Sequence, residues 1–425
     1  MSERSFAIVR HLTSQLVGKL HGDHRSKFRL KSLSYTMPLP SNFHTYTRSE
    51  RNMKQLLSIL ASLGAFAFPI PASAEGFWDF VCGLQARPQN PHTRPYQVHK
   101  ITIPGGDDTV VLAGELTLPH NNGPFPGVVL VSGSAIVDRN SRILGHKPFL
   151  VLADHLTRQG YAVLRYDDRG FGGSSGDTYA ALDSDFAADA AAAFSWLVER
   201  RDVVRARSGY IGHSQGGNKS LLAAQLTNSA FLVHLGSGVQ PIETLLLEQN
   251  RVAGAHEGLS AELIARQSYE LRSIFAILHR SETVEAAAQQ LEAWATREGA
   301  TKRQAKRLSS TYATPWMHEQ FRNSKLNFAQ IDETTATLLS RFSGPVLALY
   351  GEKDLLVGAA TNHPLTPALL TNPLSSVITM RNVNHFFQPA ENGTIEEMCE
   401  TEITIEPKVL ETIADWLDKV LSKRE

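Results

Sequence analysis

Apolar and polar residues alternate from Tyr96 to Ile103 and again from Val110 to Leu118, with Gly105-Gly106-Asp107-Asp108 between the two runs. That pattern predicts a β-hairpin. Beyond Pro124 to Pro126 it gives way to a continuous apolar run, Gly127 to Val131. Such a run suits a strand covered on both faces of a parallel sheet. Tyr161 to Tyr166, Ser208 to Ile211, Phe231 to Leu235, Pro345 to Tyr350 and Ser375 to Met380 read as further strands. Segments with helical spacing lie between them. Pro148 to Arg158 carries Leu150, Leu152, Ala153 and Leu156 on one face and stops at Gly160. An Ala-rich segment runs to Arg200, with Asp183 or Asp185 as its N-cap. Pro407 to Val420 is amphipathic through Leu410, Ile413, Trp416, Leu417 and Val420. Strand alternating with helix predicts an α/β fold with a mostly parallel, doubly wound sheet.

The alternation stops between residues 239 and 342. Ile242 to Asn250, Ala261 to Leu278, Val284 to Glu298, Lys302 to Ser310 and Pro315 to Arg322 all read as helix, with no strand signal among them. An insertion placed after the strand Phe231 to Leu235 is expected to sit over the strand ends as a helical cap, because ligands of open α/β sheets bind there. The alternative is a separate helical domain with no part in the site. The core is then residues 75–238 and 343–425.

The N-terminal stretch follows a different rule. Met53-Lys54-Gln55 is followed by the apolar segment Leu56 to Phe68 and by Ala72-Ser73-Ala74 before Glu75. A basic start, an apolar middle and an Ala-x-Ala end make 53–74 a secretory signal peptide, which places the mature protein in the periplasm or outside the cell. The apolar segment is shorter than the roughly 20 residues that span a bilayer, so no stable membrane span is expected. Residues 1–52 are polar and basic, and read as a non-native or disordered extension ahead of a start at Met53.

Charge and cysteine content narrow the function. Lys plus Arg and Asp plus Glu are both 42, which gives no pull toward nucleic acid or an anionic surface. Cys82 and Cys399 are the two cysteines. No Cys/His cluster has zinc spacing, so neither metal nor cofactor is expected. In an oxidising compartment the two cysteines are either a disulfide or a pair of buried thiols.

Chemistry concentrates at Gly212-His213-Ser214-Gln215-Gly216. An apolar strand, a Gly-x-Ser-x-Gly turn and a helix make a nucleophile elbow, in which the serine is exposed above the sheet. The amide of Gln215, at the helix start, is one oxyanion donor. The other is expected from the loop after Gly127 to Val131, at the amide of Ser134 or of Ala135. A serine needs a base, and the base an orienting acid, following in the order Ser, Asp or Glu, His. Asp354, in Gly351-Glu352-Lys353-Asp354, is the acid, with Glu352 nearer the strand end. His385, in the loop before the closing helix, is the base, with His363 as runner-up. His213 is assigned to packing. Asp138-Arg139-Asn140 either shapes the site or forms an internal salt bridge that holds its loop.

As a set these segments resemble bacterial α/β-hydrolases of the serine esterase and acyl-peptidase-like group. The resemblance rests on Val129 to Ser134 with Asp138-Arg139-Asn140, on Tyr166 to Gly176, on Gly212 to Gly217, on Gly351 to Asp354 and on Asn384-His385-Phe386-Phe387. It extends over about residues 97–422. Ser132 stands where many relatives carry histidine, and Ala135-Ile136 where many carry Gly-Pro. The resemblance implies an α/β-hydrolase fold, a triad of Ser214, Asp354 and His385, and hydrolysis of small-molecule acyl esters. A peptidase or thioesterase of the same fold is the alternative, and a hydrolase-fold binding protein without turnover is the alternative of another class.

Overall fold

The computed structural model describes residues 82–422, except 84 and 327–334. The expected signal peptide and the stretch before it lie outside the described residues. The predicted hairpin forms as β1 (Gln97–Pro104) and β2 (Val111–Leu118), paired antiparallel. The remaining strands are β3 (Phe125–Val131), β4 (Ala162–Tyr166), β5 (Val203–His213), β6 (Leu232–Leu235), β7 (Val346–Gly351) and β8 (Ser376–Met380). They join into an 8-stranded sheet of order β1-β2-β4-β3-β5-β6-β7-β8. β2 also runs antiparallel to β4, whereas every pairing from β4 to β8 is parallel. This is an α/β-hydrolase sheet, and it bears out the expected fold class.

Helices cover both faces because the central strands are apolar on both. On one face Pro148–Arg158 and Pro407–Leu421 bury Leu152, Leu156, Ile413 and Leu417 against Val128, Val163 and Leu347. On the other, Asp183–Val198 and Gln215–Leu226 bury Phe194, Leu197, Leu221 and Ala223 against Val129, Leu164 and Tyr210. Each fully buried Leu or Phe side chain stabilises the fold by roughly 1.5–3 kcal/mol relative to an exposed one. A charge placed at Leu417 would therefore break the first layer.

One capping expectation needs correction. The N-cap of the Ala-rich helix is Leu182, not Asp183 or Asp185. Asp185 sits in the first turn and accepts a hydrogen bond from the Leu182 amide at 2.8 Å, and Asp183 is turned to other partners described below.

The inserted stretch forms Ile242–His256, Ala261–Arg280, Val284–Arg297, Lys302–Tyr312 and Pro315–Leu326. These helices build their own apolar cluster, in which the Phe275 and Phe321 rings stack with centroids 4.5 Å apart. A further helix, Thr335–Arg341, falls within the same stretch of sequence but sends Leu338 and Leu339 into the sheet's core.

Cys82 and Cys399 are bonded to each other, which decides between the two alternatives for them. The Arg87 guanidinium braces the bridge by donating to the carbonyls of Cys82 at 2.9 Å and Cys399 at 3.2 Å. The bond spans a sequence separation of 317. By chain entropy alone, closing so long a loop contributes on the order of 5 kcal/mol. We expect the Cys82→Ser/Cys399→Ser variant to lose about 3–5 kcal/mol in urea unfolding, with activity intact below the transition. An unchanged midpoint would contradict this.

Candidate active site

β5 ends at His213 and the following helix begins at Gln215, which leaves Ser214 to make the turn alone. Its backbone is at φ 54° and ψ −126°, a conformation that costs an L residue about 1–3 kcal/mol. Hydrogen bonds hold it there: the Ser214 amide donates to Leu235 O at 2.7 Å, and Gly217 N donates to Ser214 O at 3.0 Å. The flanking glycines are required by close approach. A Cβ at Gly212 would lie 2.2 Å from Gly216 O, and one at Gly216 would lie 2.2 Å from Val131 O. The helix therefore starts directly against the ends of β3 and β5. Its first amides lack intrahelical acceptors and carry the positive end of the helix dipole.

Asp354 follows β7 and His385 lies in the loop beyond β8. His385 Nδ1 is 2.7 Å from Asp354 Oδ2. Both residues are 5% exposed. Asp354 Oδ1 accepts from the amides of Leu356 and Val357, each at 2.8 Å, so both carboxylate oxygens are fixed. With Nδ1 engaged, Nε2 is the ring nitrogen left for a substrate-side partner. Gly236, just after β6, passes beneath this pair at φ +61°. A Cβ there would meet His385 Nδ1 and Asp354 Oδ2 at 3.4 Å. Glu352 instead accepts from Asn382 N at 2.9 Å, and His363 pairs with Thr379 Oγ1 at 2.8 Å.

His213 packs behind the site. Its Nε2 donates to His385 O at 2.9 Å, and its ring lies 4.9 Å from that of His385 and 5.0 Å from that of Phe386. Burial, and then the proximity of His385, push its pKa down to about 3, which leaves it neutral. It lines a small apolar cavity with Phe149, Leu152, Leu235 and Phe387.

The loop after β3 reaches the serine at Gly133, where a Cβ would lie 3.2 Å from Ser214 Cβ and 3.8 Å from Ser214 Oγ. Ser134, half-buried, is the next residue. The loop after β4 holds this one from behind. Asp168 accepts from Ser132 Oγ at 2.5 Å and from Val137 N at 3.0 Å, and burial pushes its pKa up to about 6. Asp167 takes Arg139 through Nε at 2.9 Å and Nη2 at 2.7 Å. Arg165 donates to the Asn140 side chain and to Glu115. The salt bridge expected within Asp138-Arg139-Asn140 is therefore corrected: Arg139 pairs with Asp167 of the neighbouring loop, because β4 lies beside β3 and brings that carboxylate within reach.

The inserted helices reach the same end of the sheet. Asp183 accepts from Gln215 Nε2 at 2.9 and 2.7 Å, from Trp316 Nε1 at 3.0 Å and from Gln320 Nε2 at 3.0 Å. One carboxylate thus ties the residue after the serine to the helix Pro315–Leu326. Burial raises the pKa of Asp183, and burial together with the Asp183 charge pushes Glu319 up to about 7. A second tie runs from Gln249, on Ile242–His256, to Leu356 O at 2.9 Å in the acid loop.

Sequence reasoning missed Gly133, Asp168 and Gly236 as parts of the site, and read Asp183 only as a helix cap. The adjacent acids Asp167-Asp168 after a buried strand were visible as a loop, but nothing in the sequence named their partners. Among the described residues, no group of three or more His, Cys, Asp or Glu is arranged to hold a metal. No helix among them is long and apolar enough to cross a membrane.

The family match agrees with this architecture. The family described as serine aminopeptidase, S33, matches residues 147–372, more than half of the chain, and the chain belongs to that family of α/β-hydrolases. Esterase EstD of Thermotoga maritima is 33% identical over 138 residues, which are 32% of this chain and 33% of that protein. An uncharacterized protein of Mycobacterium tuberculosis is 33% identical over 150 residues, 34% of this chain and 50% of that one. The chain thus spans between a third and a half of the length of these relatives. Among solved structures, an esterase of Pyrococcus furiosus shares 15% identity over 77% of this chain and 92% of its own, at a TM-score of 0.45.

Proposed function

We propose that the protein is an exported serine esterase. The observation that carries the reading is the buried 2.7 Å bond between His385 Nδ1 and Asp354 Oδ2, at the sheet end that also bears the strained Ser214. Ser214 Oγ attacks an ester carbonyl and His385 Nε2 takes its proton, while the carbonyl π pair moves onto oxygen. The amides of Gln215 and Ser134 donate hydrogen bonds to that oxyanion. Collapse of the tetrahedral intermediate expels the alcohol, which leaves with the proton from Nε2. Water then repeats the sequence on the acyl-enzyme and frees Ser214. Asp354 keeps the imidazole oriented and stabilises its charged form. The name of the Thermotoga maritima relative supports an ester as substrate, and the 53–74 segment and the Cys82–Cys399 bond support export.

The family's description favours a second reading, a peptidase on the same site. The two differ in leaving group. The alcohol of an ester departs more readily than the amine of a peptide, whose nitrogen must be protonated before its bond breaks. Both readings use the same acyl-enzyme.

One experiment tests the reading. The protein is expressed from Met53, recovered from outside the cytoplasm, and presented with a fluorophosphonate, p-nitrophenyl acyl esters and amino-acyl p-nitroanilides. We expect a mature end at Glu75, a single phosphonyl adduct on Ser214, and ester turnover well above anilide turnover. Faster anilide hydrolysis would establish the peptidase. No adduct on Ser214 would remove both readings and leave a binding protein.

A further inference from the structure

Lys219 is a buried cation that the reaction above does not use. It stands in the second turn of the helix Gln215–Leu226 and is 3% exposed. Its Nζ donates to Gly133 O at 2.6 Å and lies 4.2 Å from the centre of the Phe186 ring. Burial raises the pKa of both Asp168 and Asp183, and the Lys219 charge opposes that shift in each. Asp168 in turn grips Ser132 and Val137, the residues that bracket Gly133 and Ser134. Burying an ammonium is expensive unless it is paired and hydrogen-bonded, so one aimed at a backbone carbonyl calls for a reason.

The carbonyl it chooses supplies that reason. Gly133 C=O and Ser134 N–H are the two ends of one planar trans peptide, and they point in opposite directions. A charged donor on the oxygen fixes the plane and draws electron density from the nitrogen. The N–H at the far end becomes a stronger donor, since hydrogen bonds through a polarisable group reinforce each other and charge-assisted ones do so most. Gly133 is also where the loop touches Ser214.

We propose that Lys219 is a positioning residue of the oxyanion hole: through Gly133 O it orients and polarises the peptide whose Ser134 N–H receives the oxyanion. This rests on the reading of Ser134 as an oxyanion donor and of Ser214 as the nucleophile. Lys219 touches no reacting atom. Its contribution appears only as charge develops on the carbonyl oxygen, so it belongs in kcat rather than in substrate binding.

The test is Lys219→Met, compared with wild type on a p-nitrophenyl ester, with an aryl trifluoromethyl ketone as inhibitor. The ketone adds Ser214 Oγ to its carbonyl carbon and gives up the π pair to a stable oxyanion, while the serine proton goes to His385. Deleting a whole oxyanion donor lowers kcat by roughly 100–1,000-fold. Weakening one is expected to lower kcat about 10–100-fold, with KM within about threefold. The ketone's inhibition constant is expected to rise by the same factor as kcat/KM falls. A loosened loop without an electrostatic role would instead raise KM, or lower kcat without matching the ketone. Either result overturns the proposal, as does wild-type kcat. If Lys219→Met does not fold, Lys219→Gln, which keeps a polar but uncharged side chain at the same place, is read in the same way. Failure of both to fold would assign Lys219 to the core and end the proposal. Ser214→Ala run in parallel separates the two levels. An inactive Ser214→Ala with a fully active Lys219→Met sinks only this inference, whereas an active Ser214→Ala sinks the reading beneath it.

Discussion

Ser214→Ala is expected to reduce ester turnover by roughly 10⁴- to 10⁶-fold and to leave the unfolding transition in place. The hydroxyl is the one atom group lost, and the backbone bonds that hold the turn are untouched: Ser214 N to Leu235 O at 2.7 Å and Gly217 N to Ser214 O at 3.0 Å. Alanine keeps the Cβ and therefore keeps the strain of φ 54°. Ser214→Gly should lose the same activity but gain stability. The pair φ 54°, ψ −126° mirrors an ordinary extended conformation, so glycine occupies it freely. Relief of about 1–3 kcal/mol of strain, less the roughly 0.5–1 kcal/mol of chain entropy that glycine gives up on folding, leaves a net gain of about 1 kcal/mol. Activity on a p-nitrophenyl ester and urea midpoints of both variants check this. Appreciable turnover by either one would remove Ser214 as nucleophile.

Asp354→Asn should lower kcat by about 10⁴-fold without disturbing the fold. The new side chain has one oxygen and one NH₂ to place. Leu356 N and Val357 N both donate to the Oδ1 position at 2.8 Å, so the oxygen must stay there. The NH₂ is then turned toward His385 Nδ1, where the carboxylate oxygen had been 2.7 Å away. A donor at that point forces Nδ1 to accept, and the ring proton moves to Nε2. An Nε2 that carries a proton cannot take one from Ser214. Glu352→Gln serves as the control, because Glu352 is engaged by Asn382 N. A loss in Asp354→Asn no larger than in Glu352→Gln would refute the assignment of the acid.

Local pattern made part of the site readable. Gly212 to Gly216 between an apolar strand and a helix announced the turn, because the close approach of Gly216 to Val131 tolerates no side chain. Chain order selected Asp354 and His385 from many acids and histidines, since each lies in the loop after a strand of a parallel sheet whose loops converge at one edge. The partners of buried charges were not readable in the same way. Asp183, like Asp185, looked like a helix cap, because an Asp side chain ahead of an Ala-rich run can accept from the first free amides of the helix. In the fold its carboxylate has Gln215, Trp316 and Gln320 within reach, and three neutral donors outcompete a role that Asp185 and the Leu182 amide already fill. Arg139 looked as if it would pair with Asp138 next to it. It pairs with Asp167, to which it presents two nitrogens in the fork geometry that suits a carboxylate.

The sequence by itself determined the α/β class with a mostly parallel sheet, the strand-turn-helix at Ser214, the helical insertion and the residues to be weighed as acid and base. All of these follow from periodicity, turn chemistry and chain order, which are local or one-dimensional properties. The tertiary structure alone decided that β4 lies between β2 and β3, that Cys82 meets Cys399, and that Lys219 reaches Gly133 O. Each of these joins groups far apart in the chain. Their pairing depends on which strands sit side by side, and the energy of a buried charge depends on which donor or acceptor the fold brings within about 3 Å.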